Sequence, residues 1–263
     1  MIDRLRDVAV MTGRNLVHVR REPLQLSDVT IQPVLFTLLF VYVFGAGVSL
    51  PNGTYAEFAV AGLLALNLTT SSMGTAVGLS TDLNGGVIDR FRSLPIWRPS
   101  VLVGRSIADV FQAALCSAIV AATGFVVGWR FHEGVARALA AFGVFLLFSY
   151  AMSWACACLG IVSKGPESAS GFGLIVLFPL AFVSNALVPT ENMPTVIRTI
   201  ANWNPVSAVT AAARDLFGNP NPSATIAAWP MQHPIAASLL WSFGIIAVFA
   251  PLAAVLYRRR TTD

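Results

Sequence analysis

Six long hydrophobic segments constrain this chain more than any other feature of its sequence. They cover residues 29–50, 57–80, 100–128, 138–162, 168–188 and 235–257. Each segment reaches the roughly 20 residues that an α-helix needs to cross about 30 Å of hydrocarbon. Because 56% of the residues are hydrophobic and only 11% are charged, a water-soluble core cannot bury this surface. We predict a single all-α integral membrane domain, residues 1–263, with six transmembrane helices.

Basic residues are distributed unevenly between alternate loops, and this asymmetry predicts the orientation. With the N-terminus inside, thirteen basic residues lie on the inner side: Arg4, Arg6, Arg14, Arg20, Arg21, Arg90, Arg92, Arg98, Arg105, Lys164, Arg258, Arg259 and Arg260. The four on the outer side are Arg130, Arg137, Arg198 and Arg214. Since Arg and Lys are enriched in cytoplasmic loops, we predict a multi-pass plasma-membrane protein with both termini in the cytoplasm.

The dispersed basic residues also indicate which surfaces the chain contacts. The net charge is +4, and the basic groups stand near the ends of hydrophobic segments rather than in one patch. This pattern favours lipid headgroups over nucleic acid. Residues 2–21 place apolar side chains roughly on one side, which predicts a basic amphipathic helix in the membrane interface within residues 1–27.

A charged, amphipathic stretch lies between the second and third hydrophobic segments, in the predicted cytoplasmic loop 81–99. Gly86 precedes a short predicted helix that ends before Pro95, because proline cannot continue the hydrogen-bond ladder. Its apolar face comprises Val87, Ile88, Phe91 and Leu94. Its charged face comprises Asp89, Arg90 and Arg92. Such a helix either couples the spans to a soluble partner or binds only lipid headgroups.

The outer segment 189–234 differs from a plain loop. Two apolar helical stripes occur in it, the first at Met193, Val196, Ile197 and Ile200 and the second at Val209, Ala213, Leu216 and Phe217. Asn204-Pro205 divides them, and few charges cover them. We predict a re-entrant helical hairpin that enters the outer leaflet, with a soluble external cap as the alternative.

The chain lacks the residues that most enzyme sites need. Its one lysine, Lys164, belongs to no phosphate-binding loop, so nucleotide hydrolysis by a P-loop is excluded. The three histidines lie in interfacial or loop positions, which gives no predicted catalytic, metal or cofactor site. Cys116, Cys156 and Cys158 are expected to be core residues, with metal binding or a disulfide as the alternative.

The deep parts of the six segments carry no charged residues. Arg105 and Asp109, four residues apart near the start of the third, are expected to form an exposed pair in the headgroup layer. Secondary carriers usually need ionisable groups near mid-membrane, because a charge there is costly and persists for function. Energy for any transport would therefore come from another subunit.

Uncharged polar and aromatic side chains on the first, second and fifth segments form a predicted path for an amphipathic substrate. They are Gln32, Phe36, Phe40, Asn67, Thr70, Phe178, Phe182 and Asn185. Sparse amides among aromatics suit a lipid-like or drug-like molecule. The alternative is helix packing, in which small residues let helices approach and aromatics fill gaps.

Two blocks of this sequence resemble the membrane subunit of type-2 ABC exporters, in particular the daunorubicin-resistance permease branch. The first, NGGVIDRFRSLPIWRPSVLVGRSIAD, runs from Asn84 to Asp109 and is similar to the cytoplasmic loop of that family. The second, LVPTENMPTVIRTIANWNPVSAVTAAARDLFG, runs from Leu187 to Gly218 and is similar to its outer hairpin.

The resemblance implies a half-transporter that exports a hydrophobic or amphipathic substrate. It implies pairing with a second membrane subunit, the same or different, and with separate ATPase subunits that hold ATP and Mg. Residues 86–92 and Leu94 would contact that ATPase. The alternative function is a membrane scaffold or membrane-embedded enzyme without transport.

Overall fold

The structure is a computed structural model that describes residues 2–21, 23–45, 47, 53–85 and 100–260. Within these ranges the regular structure is helical, and none of the residues lies in a β-strand. This confirms the predicted all-α class. The predicted partner-facing segment, residues 86–94, lies outside the described residues.

The described helices range from 4 residues to 29 residues in length. They are α1 (Ile2–Arg21), α2 (Pro23–Leu39), α3 (Tyr55–Ser71), α4 (Met73–Asn84), α5 (Ser100–Val126), α6 (Gly134–Val162), α7 (Pro166–Phe182), α8 (Thr195–Trp203), α9 (Pro205–Phe217), α10 (Trp229–Gln232) and α11 (Pro234–Arg260). A π-helical turn, Phe40–Phe44, extends α2, and two short 3-10 turns, Thr190–Asn192 and Pro222–Thr225, flank α8 and α9.

Four helical stretches are long and apolar enough to cross a membrane. They are Tyr55–Asn84, which joins α3 to α4, Leu102–Val126 in α5, Gly134–Val162, which is α6, and Pro234–Arg260, which is α11. Two shorter apolar helices, Val29–Phe44 and Pro166–Phe182, coincide with the first and fifth predicted segments. Each of the six predicted hydrophobic segments therefore contains one apolar helix.

Helix α7 ends earlier than the fifth hydrophobic segment, which continues to residue 188. The last carbonyl groups of a helix have no partner within it and must be satisfied from outside. Here the side-chain amide of Asn204 donates to the carbonyl oxygens of Leu180 and Val183, each at 2.7 Å. Asn204 therefore fixes the end of α7 to the start of α9.

Helix α6 is the centre of the bundle and packs against α4, α5, α9 and α11. Phe145 and Phe148 of this helix are fully buried in the main apolar cluster, together with Leu64 and Leu68 of α3. Further along α6, Gly160 lies directly against the backbone of Ala76 in α4, where a methyl group would overlap the Ala76 carbonyl. This close approach joins the two long helices.

The segment after α7 contains the two helices predicted for it. Asn204-Pro205 divides α8 from α9 as expected, because Pro205 occupies the first turn of α9 and the Asn204 side chain accepts a hydrogen bond from the Val206 amide at 2.8 Å. Helix α9 is buried along most of its length and packs against α3, α6 and α11. Gly218 ends it in the left-handed conformation, at φ 70°.

Arg214 of α9 is completely buried, although the sequence gives it only as one of the basic residues of an outer loop. Its guanidinium donates to the carbonyl oxygens of Phe58, Asn185 and Ala186 at 2.9–3.1 Å. Among the described residues no carboxylate lies within 4.0 Å of it. Because a buried cation needs compensating acceptors, this arrangement fixes α9 to α3 and to the segment after α7.

Candidate functional site

A polar cavity of about 540 Å³ lies between α1, α2, α3, α4 and α5. Its wall comprises Arg14, Asn15, Val29, Gln32, Asn67, Thr70, Ser71, Met73, Gly74, Val77, Gly78, Thr81, Asp82, Arg105, Asp109 and Gln112. The lining extends from Asn67, near the middle of the Tyr55–Asn84 stretch, to Asp82 near its end. The cavity therefore follows about half the length of this long helix.

The cavity lies beside the junction between α3 and α4. Ser72 stands between the two helices, and its hydroxyl donates to the Leu68 carbonyl at 2.9 Å. The guanidinium of Arg105 in α5 donates to the Gly74 carbonyl oxygen at 2.8 Å. The Thr75 hydroxyl donates to the Asp109 carboxylate at 2.7 Å. Polar groups of α5 thus form hydrogen bonds with the first turn of α4 and give the cavity its charged wall.

The prediction that Arg105 and Asp109 form an exposed pair is wrong. Their side chains are only 18% and 13% exposed, and Arg105 Nε lies 3.9 Å from Asp109 Oδ1. The reason is the facing helix, because Gly78 has no side chain and leaves space that the Arg105 guanidinium fills. The glycine at position 78 of α4 is the feature of the sequence that corresponds to this burial.

A second ion pair closes the end of the cavity near Asp82. Arg14 of α1 lies 2.8 Å from the Asp82 carboxylate, with side-chain exposures of 35% and 14%. Helix α1 also packs along α5, where Met11 and Thr12 contact Gly104. The predicted amphipathic helix is therefore present, and it forms one wall of the cavity. Asp82 stands four residues before Gly86, where the predicted coupling segment begins.

The structure brings together some of the residues predicted to form a substrate path and separates others. Gln32, Asn67 and Thr70 line the cavity. Phe36 of α2 and Phe40 of the π-helical turn have their rings 6.2 Å apart, and neither residue belongs to the cavity lining.

Phe178 and Phe182 lie on α7, which contributes no residue to the cavity, and their rings stack at 4.3 Å. Asn185 is fully buried beside Arg214, and it donates to the Ser223 hydroxyl at 2.9 Å.

The cavity also contains residues that the sequence does not single out for it. Asp109 and Gln112 of α5 and Asn15 of α1 are among them. Gln112 lies three residues after Asp109, so a helical period places both on one face of α5. The polar face of the third segment is the signal that would have pointed to the cavity wall.

Comparisons with known proteins agree with this architecture. A sequence profile described as ABC-2 type transporter matches residues 6–217. The chain belongs to the ABC-2 type transporter family. The chain is therefore a membrane permease of an ABC transporter, a class that works with an ATPase partner.

Individual permeases are similar to this chain over most of its length. The daunorubicin resistance ABC transporter permease protein DrrB1 of Streptomyces coeruleorubidus is 34% identical over 247 residues, which cover 94% of this chain and 84% of that protein. The probable doxorubicin resistance ABC transporter permease protein DrrC of Mycobacterium tuberculosis is 25% identical, covering 96% and 88%. The putative transport permease ycf38 of Porphyra purpurea is 24% identical, covering 82% and 75%.

Proposed function

We propose that this permease is one half of an ATP-driven exporter of amphipathic compounds, and that the polar cavity is where the substrate enters. One observation carries the proposal: the cavity extends to Asp82, four residues before the segment predicted to contact the ATPase. A movement imposed on residues 86–94 would reach the cavity wall through α4. Helix α4 would thus both line the substrate cavity and transmit the movement of the ATPase.

The proposed topology has six membrane crossings with both termini in the cytoplasm. Support comes from the apolar helices in all six segments and from the thirteen inner against four outer basic residues. Helix α7, at 17 residues, measures about 26 Å and would cross a slightly thinned bilayer. Helices α8 and α9 would form the re-entrant hairpin of the outer leaflet.

The proposed partners are a separate ATPase subunit, which holds ATP and Mg, and a second membrane subunit, the same or different. In this arrangement Val87, Ile88, Phe91 and Leu94 dock into a groove of the ATPase. Asp89, Arg90 and Arg92 contact charged groups around it. Closure of the ATPase subunits on ATP then displaces this helix, and rigid-body movement of the spans opens a path between the two membrane subunits.

The proposed substrate is a drug-like or lipid-like molecule that leaves through the plasma membrane. Two of the relatives are named for resistance to daunorubicin and doxorubicin. Gln32, Asn67 and Thr70 offer amide and hydroxyl groups beside the apolar Val29, Met73 and Val77, which suits such a compound. The path would continue towards the second subunit along Phe36 and Phe40, on α2 and the π-helical turn after it, and along Phe178 and Phe182 on α7.

Reconstitution tests the proposal. The permease and its ATPase are placed in vesicles, with daunorubicin as the probe, and drug movement is followed by fluorescence. Movement that requires ATP and an intact ATPase is expected. Stable assembly without flux would support a scaffold, and movement driven by an ion gradient without the ATPase would contradict an ATP-driven exporter.

A further inference from the structure

A second cavity, of about 470 Å³, lies beside α8, at the end of the bundle opposite Asp82. We call it the hairpin cavity. Its lining includes Glu191, Arg198, Thr199, Asn202, Trp203, Thr225 and Ile226. Arg198 is one of the predicted outer basic residues, and none of the lining residues belongs to the proposed transport path.

Helix α8 carries an exposed apolar face next to this cavity. Val196, Ile197, Ile200 and Trp203 are 73%, 44%, 57% and 53% exposed. At 100° per residue they share one side of the helix, whereas Arg198, Thr199 and Asn202 lie towards the cavity. A helix with one exposed apolar face and one polar face lies in the plane of a membrane interface. Trp203 belongs to both faces, and tryptophan is enriched at the headgroup level of membranes, which supports a position of the cavity at that depth.

The two charged side chains of the hairpin cavity, Arg198 and Glu191, form no ion pair with each other in the described part of the chain. The Arg198 guanidinium makes one long contact, at 3.5 Å to the Glu191 carbonyl oxygen. Across the described part of the chain no carboxylate comes within 4.0 Å of it. The Glu191 carboxylate accepts from the Thr225 hydroxyl at 3.4 Å. The cavity therefore offers a cation and an anion at separate points of one wall.

The remaining groups complete a site for a polar head with an apolar tail. The Asn202 side-chain oxygen accepts from Thr190 at 3.0 Å, which leaves its amide nitrogen as a donor. The Thr199 hydroxyl donates to the Thr195 carbonyl at 2.9 Å, so its oxygen can still accept a hydrogen bond. Ile226 and the Trp203 ring give the cavity an apolar edge that continues into the exposed face of α8.

We propose that the hairpin cavity binds the headgroup of a zwitterionic phospholipid with a primary ammonium. Arg198 binds the phosphate, because a planar guanidinium matches phosphate oxygens with two parallel hydrogen bonds. Glu191 binds the ammonium. The acyl chains lie along Val196, Ile197 and Ile200. This site is separate from the transport cavity, and its test does not depend on transport.

Lipid retention tests the site. The full-length permease is placed in nanodiscs with equal amounts of phosphatidylethanolamine, phosphatidylcholine and phosphatidylglycerol, and lipids that survive release into detergent are counted by native mass spectrometry. Phosphatidylethanolamine is expected to be retained at least fivefold over the other two. Arg198→Gln should reduce this retention about tenfold, and Arg198→Lys should reduce it less. Glu191→Gln should remove the preference over phosphatidylglycerol.

Arg137→Gln is the matched control, since it removes one exposed basic group at the same end of the bundle. It should retain lipid like the unchanged protein. Equal retention by Arg198→Gln, preferred retention of phosphatidylglycerol, or an unchanged preference in Glu191→Gln would overturn the proposal. Soluble glycerophosphoethanolamine at millimolar concentration should not displace the lipid, and full displacement would assign the site to a soluble phosphate compound instead. Melting temperatures equal to that of the unchanged protein would show that a folding defect is not the cause.

Discussion

The guanidinium carbon of Arg214 lies 3.6 Å from the centre of the Phe58 ring, and the same guanidinium donates twice to the Phe58 carbonyl oxygen, at 3.1 and 3.0 Å. One residue of α9 thus contacts both the ring and the backbone of one residue in α3. The cation is compensated by acceptors and by the π-face of the ring. Arg214 therefore fixes α9 to the long Tyr55–Asn84 helix.

Arg214→Gln should destabilise the fold by roughly 3 kcal/mol, because it leaves buried carbonyl oxygens without donors. Arg214→Lys should destabilise the fold by a smaller amount. Lysine keeps the positive charge, but its ammonium lacks the planar guanidinium that reaches three carbonyl groups and stacks on a ring. Thermal unfolding of the purified chain in detergent measures both. Arg137→Gln, at an exposed position, should melt like the unchanged protein, and a shift as large as that of Arg214→Gln would contradict this assignment.

Gly160→Ala should weaken the contact between α6 and α4 by about 1–3 kcal/mol, because a methyl group would overlap the Ala76 backbone. Gly143→Ala in the same helix meets open space, so it should be neutral or slightly stabilising. The melting temperatures of Gly160→Ala and Gly143→Ala are compared with that of the unchanged protein. Equal losses in both variants would indicate a general effect of alanine rather than close packing at position 160.

The Arg14–Asp82 pair should contribute about 0.5 kcal/mol, because Arg14 is partly exposed and solvent screens the interaction. A double-mutant cycle with Arg14→Gln and Asp82→Asn measures this coupling directly. The coupling should decrease as salt is raised, since exposed charges are screened. A coupling free energy indistinguishable from zero at low salt would remove the link between α1 and the end of α4.

Gly74→Phe should reduce ATP-driven drug movement severalfold without loss of the ATPase complex. The position lines the polar cavity, and a side chain added there meets open space. A phenyl ring would therefore take up part of the cavity volume. Vesicle transport and co-purification with the ATPase are the two measurements. Gly143→Phe is the control, because a side chain added there also meets open space but lies outside the cavity. Undiminished transport by Gly74→Phe would exclude the cavity from the transport path.

Phe91→Asp should abolish co-purification with the ATPase, because it puts a charge on the apolar face predicted for the coupling helix. Arg98→Gln, in the same loop but outside that helix, is the control and should keep the complex. The measurement is the amount of ATPase retained on the tagged permease. Full retention by Phe91→Asp would count against docking through residues 87–94.

The sequence predicted the helical class because apolar segment length alone decides whether a helix can cross a membrane. It also predicted the division of the hairpin at Asn204-Pro205, since proline cannot continue a helix. Its error on Arg105 and Asp109 has a physical origin: spacing along α5 shows that the two are neighbours, but only the facing glycine of α4 shows that they are covered.

By itself, then, the sequence determined the helices, their apolar segments and the absence of a P-loop, because these depend on residue order along one segment. The tertiary structure decided where Arg214 is satisfied, that Gln32, Asn67 and Thr70 share a cavity with Asp109, and that Asn185 does not join them. Each of these depends on which faces of separate helices meet. No periodicity within one helix contains that information.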